Sequence, residues 1–559
     1  MMTHLAGWRR SIGPILLGFA LTACSPGGGP RVDSQTNWLH ACSIDAECGE
    51  LGCYCGACTR PCSSNADCSE LDGATCVSAQ EAGTIALCGG SNPTYTGFCI
   101  PRCSDADCPE GSSCLAGICG PLKEPTVTIT VDTSTKHQTL VGFGASISYV
   151  NDELVQHPSK QAVYDAVFGG LGLDVLRLRN RYGYAGDDNL TSASEVVAAA
   201  TASLGHSPRL MLTSWSPPAA LKANGAPKCE GSPDTCTLVK LPDGTFDYAG
   251  YGQYWRASLD AYAAIGLRPD YIGLQNHPNW TSPASDPMEG CLFLPREGTS
   301  MVSINGTDVS VKYPGFAEAL GAVVAQLSGL ASPPQIVAPE VSGAKVLADY
   351  APVLDFSKVA ALGHHMYDID PAAVDPATFV TLGDLGRQYQ RPLFQTEGQA
   401  EGLGTAVQMH YALAVEGAAV YLQNDLVGSA LSLANNTTAL TSLTTDSFTV
   451  QAPYHAMRHY SFFTDPGWVR VATTIAAGSL LSSAWLSPEE DALSIVIVNA
   501  GVAEETAQLD LDRLNWVSSQ VVRTVFDGVE RSAELGSLTA DGVVRLPSHS
   551  ITTVALRLR

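Results

Sequence analysis

Between residues 140 and 422, short apolar segments alternate with longer amphipathic stretches, and this alternation limits the possible folds more than any other feature of the chain. A short apolar run bounded by polar or turn residues is typical of a strand buried on both faces. The amphipathic stretches 254–265 and 316–327 have the helical spacing of apolar residues. Strands alternating with helices predict an α/β fold, and eight of them predict a (β/α)8 TIM barrel. The predicted strands lie at 140–144, 175–178, 210–213, 271–274, 336–338, 359–362, 393–395 and 418–422.

The pattern changes from residue 469 onwards, where polar and apolar residues alternate along segments such as 493–499 and 551–557. A period of two residues is typical of half-buried strands, and here it predicts an associated β-sandwich. The segment 126–131 alternates in the same way, so 126–137 is a candidate for pairing with that sandwich. Five segments are predicted in all: a signal peptide (1–23), a tether (24–40), a cysteine-rich disulfide module (41–120), the barrel (126–468) and the sandwich (469–559).

Fourteen of the eighteen cysteines lie between Cys42 and Cys119, in variations of a short unit that begins Cys-Ser and ends Asp-Cys or Glu-Cys. This density is typical of a small disulfide-rich module, and an even number permits seven bridges whose connectivity the sequence does not give. Zinc binding is the alternative, because Cys55 and Cys58 have ligand spacing. It is the weaker one, since the segment has no histidine beyond His40 and exported thiols oxidise. We interpret the module as a spacer cross-linked by disulfides, with glycan or protein binding as the alternative.

The N-terminus has the order of an export signal. Arg9 and Arg10 precede an apolar run, residues 12–21, that is too short to span a bilayer as a permanent helix. The run ends in Leu-Thr-Ala-Cys24, which resembles the lipobox of bacterial lipoproteins. That resemblance implies lipidation of Cys24 and a place in the cell envelope or at the cell surface, with an ordinary signal peptide and secretion as the alternative. The formal net charge of −24 argues against nucleic acid and anionic membranes as partners, so a lipid anchor is the expected membrane attachment.

The predicted strand at 271–274 is followed by Gln275, Asn276 and His277. In a (β/α)8 barrel, side chains at the C-terminal ends of the strands form the active site. Other strand ends carry motifs that, in this order, resemble those of retaining glycosidases of clan A, specifically glycoside hydrolase family 30, over residues 125–559. These motifs are Gly142-Phe-Gly-Ala-Ser146, Leu176-Arg-Leu-Arg179, Ser214-Trp-Ser-Pro-Pro218 with Lys222-Ala-Asn-Gly225, His364-His-Met-Tyr367 and Gln395-Thr-Glu-Gly398.

The resemblance implies an enzyme that hydrolyses β-linked polysaccharide, xylan-like or related, with retention of configuration. Such an enzyme holds two carboxyl groups about 5–5.5 Å apart, one as nucleophile and one as acid and base. Glu397 stands at the nucleophile position of the family, and Arg177 at the position that supports it. The family's donor to the sugar 2-hydroxyl, its aromatic subsite wall and its two hydrogen-bonding groups near the nucleophile fall on Asn276, Trp215, and His365 with Tyr367. For the aromatic residues, packing in the barrel core is the alternative.

The acid/base position departs from the family pattern, because the family has glutamate where this chain has His277. Imidazole can transfer protons near neutral pH, but an imidazolium could also pair with Glu397 and block its attack. Two more positions differ: Asn424 stands where relatives usually have tryptophan, and Gly398 where close relatives usually have tyrosine. The sequence therefore supports two hypotheses, a glycosidase that uses His277 as acid and base, and an inactive glycan-binding protein that kept the cleft.

Four other residues complete the sequence predictions. Glu289 and Glu340 lie in predicted loops at the active face, where either could replace the missing acid, although a structural role is the preferred interpretation. Cys229 and Cys236 flank an insertion after the third strand and are expected to form a disulfide. Cys291 is left over and is predicted to be a buried apolar filler. No cofactor or metal is expected.

Overall fold

The computed structural model describes residues 42, 46, 48, 51–54, 57–71, 74–78, 97–101, 112–115, 118–121 and 125–559, the last range without 230, 305, 431–435, 477–479, 512–513 and 539–541. The chain divides into two compact units, Met1–Lys123 and Glu124–Arg559. The predicted signal peptide, Cys24 and the tether lie outside the described residues. Within the described ranges, no helix is both long and apolar enough to cross a membrane.

The first unit is cross-linked by disulfides. The described bridges join Cys42 to Cys53, Cys48 to Cys58, Cys62 to Cys76 and Cys68 to Cys99. Because Cys58 is bonded to Cys48, it is not a thiolate ligand, and the zinc alternative loses one of its two ligands; Cys55 lies outside the described residues. The strands are Gly52–Tyr54, Ala57–Thr59, Pro61–Cys62, Ala74–Ser78, Gly97–Pro101, Ser112–Leu115 and Ile118–Pro121, with a 3-10 helix at Asn65–Cys68.

The second unit contains a closed barrel of eight parallel strands, which confirms the predicted (β/α)8 fold. The strands, called the first to the eighth barrel strand below, are Gly142–Ile147, Val175–Arg179, Arg209–Thr213, Tyr271–Gly273, Gln335–Val341, Val359–His365, Leu393–Gly398 and Val420–Gln423. The eighth strand pairs with the first and closes the barrel.

Helices connect the barrel strands as the amphipathic stretches predicted. The helix expected at 316–327 is Phe316–Leu327, and the one expected at 254–265 begins six residues earlier and ends one earlier. The α-helices are Asn151–Gln156, Lys160–Tyr164, Thr191–Leu204, Tyr248–Ala264, Phe316–Leu327, Leu347–Tyr350, Pro376–Tyr389, Gly402–His410 and Ala452–Ser461, and two of them continue as the π-helical turns Asp165–Gly169 and Tyr411–Glu416.

The barrel interior is filled with apolar side chains near the start of the strands. They include Val175, Met211, Tyr271, Val337 and Phe394, which form one buried cluster. Filling of the interior by such layers is what makes a barrel of this size a packed core. The polar side chains of the site lie above this layer, towards the C-terminal ends of the strands.

The predicted sandwich is built from one continuous series of nine paired strands that encloses its own apolar core. The strand Val127–Thr139 pairs with Val469–Ile475 on one side and Glu505–Asp510 on the other. In order of pairing the strands are Ala533–Glu534, Trp516–Val525, Ser550–Leu558, Ala492–Asn499, Leu481–Leu486, Val469–Ile475, Val127–Thr139, Glu505–Asp510 and Val543–Leu546.

Loops at the C-terminal ends of the barrel strands carry small additions. Cys229 and Cys236 form a disulfide, and Cys291 is a free, fully buried thiol whose pKa burial raises to about 12. The additions are a hairpin of Gly298–Ile304 with Thr307–Tyr313, the pair Lys228–Cys229 with Met288–Glu289, and a small sheet of Val427–Gly428, Thr441–Leu443 and Phe448–Val450.

Candidate active site

Arg177 is the centre of the polar network at the mouth of the barrel. It lies on the second barrel strand, and its side chain is fully buried. The guanidinium donates through Nη1 to Glu397 Oε1 at 2.6 Å, through Nε to Glu340 Oε1 at 3.1 Å and through Nη2 to Asn276 Oδ1 at 2.8 Å. The guanidinium carbon lies over the Trp215 ring, 4.4 Å from the ring centroid. One buried arginine therefore ties together the ends of four other barrel strands.

Glu397 ends an apolar strand, and its carboxylate is almost completely buried. Oε1 accepts from Arg177, while Oε2 accepts from the Tyr367 hydroxyl at 2.7 Å and lies 3.2 Å from His277 Nε2. Burial opposes ionisation of this carboxyl, whereas His365, Arg177 and His277 favour it, and its pKa is held well below the usual range. Glu397 is therefore an ionised carboxylate at the barrel mouth, the state a nucleophile requires.

His277 lies against the carboxylate rather than across from it. Its backbone is in the left-handed region, with φ 50°, and its N–H donates to the Glu340 carbonyl at 3.1 Å. The imidazole centroid is 4.6 Å from that of His365 and 5.1 Å from that of the Tyr367 ring. Strained backbone of this kind persists where the surroundings fix it, often at functional positions. The contact with Glu397 leaves no room for a sugar between the two groups in this arrangement.

The predicted site residues converge on this network. The exposed fraction of Trp215 is only 5%, so its indole packs beneath Arg177 in the core of the mouth, whereas 43% of Tyr367 is exposed. The predicted residues brought within one contact network are Arg177, Trp215, Asn276, His277, His365, Tyr367 and Glu397. Their roles in substrate binding and catalysis stay predictions.

Glu340 is not in a loop, as the sequence suggested, but in the fifth barrel strand, and it is fully buried. Neighbouring glycines make room for it. A Cβ on Gly273 would lie 1.5 Å from Glu340 Oε2, and one on Gly363 would lie 3.2 Å from Glu340 Cγ. The carboxylate accepts from Arg177 and, at 3.1 Å, from the Thr213 hydroxyl. Burial raises the pKa of Glu340, but its two partners fit the preferred interpretation of a structural carboxylate.

Glu289 also has a structural partner. It lies in the short strand Met288–Glu289, which pairs with Lys228–Cys229, rather than in a free loop, and its Oε1 accepts from Arg179 Nη2 at 2.5 Å. Arg179 is bonded to Asp187 as well, and Asp187 in turn binds Arg181, which also donates to Asp152 at 2.8 Å. These ion pairs connect the loops around the mouth. Because Glu289 is paired with Arg179, it is not a free proton donor.

The two other departures from the family pattern have physical counterparts in the structure. A Cβ on Gly398 would lie 2.2 Å from the Tyr421 hydroxyl oxygen, so the phenol of the eighth strand fills the space that a side chain at 398 would need. Asn424 donates through Nδ2 to the Tyr367 hydroxyl at 3.0 Å. The amide thus belongs to the hydrogen-bonded set around Glu397.

Asp425 was missed by the sequence predictions. It follows the eighth barrel strand and is partly buried, and burial together with the Glu397 charge raises its pKa to about 7. Its charge also acts on Tyr149 and Tyr367, which places it among the groups facing the mouth. A carboxyl that holds its proton near neutral pH is suited to act as an acid. The signal in the sequence was an aspartate two residues beyond a strand end.

The second unit shares its fold with glycoside hydrolases of family 30. No model of a known protein family matches the chain. A family 30 endoxylanase from Clostridium papyrosolvens C71 is similar with a TM-score of 0.57 and 19% identity, over 77% of this chain and 100% of the xylanase. A subfamily 8 xylanase from Clostridium acetobutylicum gives 0.55 and 22%, over 77% and 99%. An endo-β1,6-glucanase gives 0.54 and 14%, over 78% and 94%. The likeness establishes the fold.

Proposed function

We propose that the second unit is a retaining glycoside hydrolase of the family 30 type, acting on β-linked polysaccharide that is xylan-like or related. One observation carries the proposal: a buried, ionised carboxylate, Glu397, stands at the C-terminal end of a barrel strand, fixed by Arg177 and Tyr367. The solved structures with this fold include two xylanases and an endo-β1,6-glucanase, which supports a β-linked glycan as the substrate class.

In the proposed reaction, Glu397 attacks the anomeric carbon and the bond to the leaving oxygen breaks. The leaving oxygen needs a proton, and water must later lose one when it displaces Glu397 from the sugar. His277 is proposed for both transfers. It must first rotate away from Glu397, which its side-chain exposure of 16% towards the mouth allows. Asn276 is proposed to bind the sugar 2-hydroxyl, and Trp215 supports Arg177 from below.

The second candidate is an inactive glycan-binding protein that kept the cleft. The observation that favours it is the 3.2 Å contact between His277 Nε2 and Glu397 Oε2. A retaining enzyme keeps its two catalytic carboxyl groups about 5–5.5 Å apart, so that the glycosidic bond fits between them. If the His277 side chain stays in contact with Glu397, neither group is free, and the mouth can bind a glycan without cleaving it.

An activated aryl glycoside separates the two candidates, because a good leaving group needs little help from an acid. We expect slow hydrolysis of such a substrate and labelling of Glu397 by a mechanism-based fluoro-sugar, followed by peptide mass spectrometry. The Glu397→Gln variant is the control and should be neither active nor labelled. Binding of β-glycan without hydrolysis or labelling by the unmodified chain would establish the inactive candidate instead.

We further propose that the chain is a lipid-anchored protein of the cell envelope or surface, held through Cys24. The order of residues 9–24 supports this proposal, as does the disulfide-bonded first unit, since disulfides persist in oxidising compartments. The limits 41–120, 126–468 (with 126–137 paired into the sandwich) and 469–559 are the proposed domain boundaries. Incorporation of labelled fatty acid into the chain, and its loss in Cys24→Ala, is the test; release of unlabelled protein to the medium would show an ordinary signal peptide.

A further inference from the structure

Three side chains able to bind metal converge at the barrel mouth: His277, His365 and Glu397. One donor atom of each lies within 4.8 Å of the donor atoms of the other two. His277 Nε2 is 3.2 Å, and His365 Nδ1 is 3.4 Å, from Glu397 Oε2. Bonds of about 2.0–2.1 Å to a tetrahedral zinc ion place neighbouring ligand atoms roughly 3.3–3.4 Å apart. The two distances to the carboxylate match that spacing.

His365 gives an independent reason to look for a ligand. Its side chain is fully buried, and neither of its ring nitrogens has a hydrogen-bond partner among the described residues. Nδ1 is near Glu397 Oε2, but not in hydrogen-bond geometry. A buried polar atom normally has a partner, because leaving it without one costs free energy. A simple hydrogen bond between His277 and Glu397 does not supply a partner, whereas an ion shared by all three side chains supplies one to His365 Nδ1.

The surroundings orient the carboxylate for this role. Arg177 donates to Oε1 at 2.6 Å and Tyr367 donates to Oε2 at 2.7 Å, so Glu397 is held by the outer contacts that metal-binding carboxylates usually have. Arg177 is shared between Glu397, at 2.6 Å, and Glu340, at 3.0 Å, so the two carboxylates carry one negative charge more than the arginine offsets, and this excess favours a bound cation. His277 is partly exposed, so an ion can enter from the mouth.

We propose that His277, His365 and Glu397 bind one divalent transition-metal ion of the zinc type, with the fourth position open to water. Two imidazoles and one carboxylate form a ligand set that suits Zn²⁺ and Co²⁺. His277, which replaces the glutamate of the acid/base position, therefore supplies the third ligand. The binding does not rest on the proposed hydrolase function. It competes with that function, because the ion occupies the oxygen of the carboxylate that would attack the sugar.

The test uses the full mature chain with its disulfides intact. The chain is first treated with a chelator, which is then removed. Calorimetric titration with Zn²⁺ should give one ion per chain, and Co²⁺ should give visible d–d absorption of a site with nitrogen and oxygen ligands. The His277→Gln variant should weaken Zn²⁺ binding by more than about 100-fold, beyond the loss caused by outer-contact changes. The matched control is His206→Gln, because His206 is exposed and far from the cluster in sequence; its affinity should stay within about twofold.

Each outcome bears on the site. The proposal is overturned if the unmodified chain binds no Zn²⁺, or if His277→Gln binds it with unchanged affinity while its thermal unfolding shows a folded protein. A second variant, Glu397→Gln, should also lose the ion, and retention there overturns the ligand set. Zn²⁺ binding without hydrolysis of an activated glycoside removes only the proposed function. Hydrolysis that continues unchanged at saturating Zn²⁺ overturns the proposed ligand set, because Glu397 would then be free to attack the sugar.

Discussion

The mouth of the barrel has two halves that differ in how firmly they are built. The nucleophile half consists of Arg177, Glu340 and Glu397, all buried, with one arginine between two carboxylates. The acid half consists of His277 and Asn424, both partly exposed, and each makes one side-chain contact to the Glu397 group or to the tyrosine that binds it. The first half has every charge paired, and the second departs from the family pattern at both positions.

This difference indicates that stability by itself can keep Glu397, the proposed nucleophile, in place. Removing one member of a buried charge network leaves the others unpaired, which is strongly destabilising, whereas an exchange at a partly exposed position costs little. Glu397 would therefore be retained for folding even in a protein that no longer cleaves glycans. Its presence does not distinguish the two candidate functions, and experiments on each half are needed.

The largest expected effect comes from repairing the acid half. In His277→Glu, turnover of a natural β-glycan should rise by about 10²–10⁴-fold, because this is what a positioned general acid contributes. The measurement is kcat/KM for xylo-oligosaccharides. An activated aryl glycoside is the matched comparison and should gain much less, since its leaving group needs little protonation. If a folded variant showed no gain, His277 would not be what limits turnover, and Gly398 and Asn424 would be the next candidates.

The next effect comes from breaking the nucleophile half. In Arg177→Met, two buried carboxylates lose their cation, and the free energy of unfolding should fall by about 3–5 kcal/mol in urea titration. Arg256→Met is the control, because Arg256 forms an exposed ion pair with Asp260, and its loss should stay within about 0.5 kcal/mol. Equal losses in the two variants would show that the buried network does not stabilise the fold more than an exposed ion pair does.

A smaller effect is expected between the seventh and eighth strands. Gly398→Ala places a methyl group against the Tyr421 hydroxyl and should destabilise the fold by about 1–3 kcal/mol. Tyr421→Phe removes the clashing oxygen, which has no hydrogen-bond partner among the described residues, and should recover part of the loss in the double variant. Additive losses, measured in a double-mutant cycle, would contradict direct contact between the two positions.

Asp425 gives a pH-dependent effect at the edge of the acid half. Its folded pKa of about 7 lies above the ordinary aspartate value of 3.8, with Glu397, Tyr149 and Tyr367 as the neighbouring groups. The folded state therefore holds this proton more tightly than the unfolded state, and stability falls as the pH rises from about 4 to about 7. Asp425→Asn should be more stable than the unmodified chain at pH 8, by on the order of 1 kcal/mol for a partly exposed group, and not at pH 4. A difference independent of pH would contradict the raised pKa.

The smallest effect concerns the charge of the glycan. Acidic side groups of xylan are normally gripped by arginine or lysine, but none occurs between Glu397 and Arg458. The nearest cations in the other motifs, Arg179, Arg181 and Lys222, are bonded to acidic side chains or, for the lysine, to the Gly290 carbonyl. Neutral oligosaccharide should therefore bind Glu397→Gln as well as its glucuronate-substituted form, or a few-fold better, by calorimetry. Clear preference for the acidic ligand would reveal a cation not recognised here.

The barrel could be predicted because each strand is a short apolar run and each helix repeats its apolar residues with the helical period. The fifth strand was predicted too short, at 336–338, and is observed at Gln335–Val341. Pro339 and Glu340 look like a strand end, because a proline and a charge seldom occur inside a buried strand. Glu340 is tolerated there because glycines on both neighbouring strands leave space for it, a pairing that depends on register.

Only those site residues that lie in the quoted motifs could be predicted from the sequence. Arg177, His277 and Glu397 lie together because strand ends meet in a barrel, whatever their separation along the chain. The contact between Gly398 and Tyr421 depends on the packing of two neighbouring strands, and the raised pKa of Asp425 depends on its burial near Glu397. Neither property is encoded in the spacing of residues. Both emerge only when the strands are assembled.

The strand Val127–Thr139 has a consequence for how this chain reaches its folded state. It is made first, yet its partner strands come at the other end of the unit; Thr130 donates to Asp510, 380 residues away. At synthesis rates of about 5–20 residues per second, that partner emerges roughly 20–75 s later. Throughout this time Val127, Ile129 and Val131, which end in the sandwich core, have no partner, and an unpaired apolar strand is a template for aggregation. The order of elements thus makes folding dependent on protection of the nascent chain until Val469–Ile475 and Glu505–Asp510 have been synthesised.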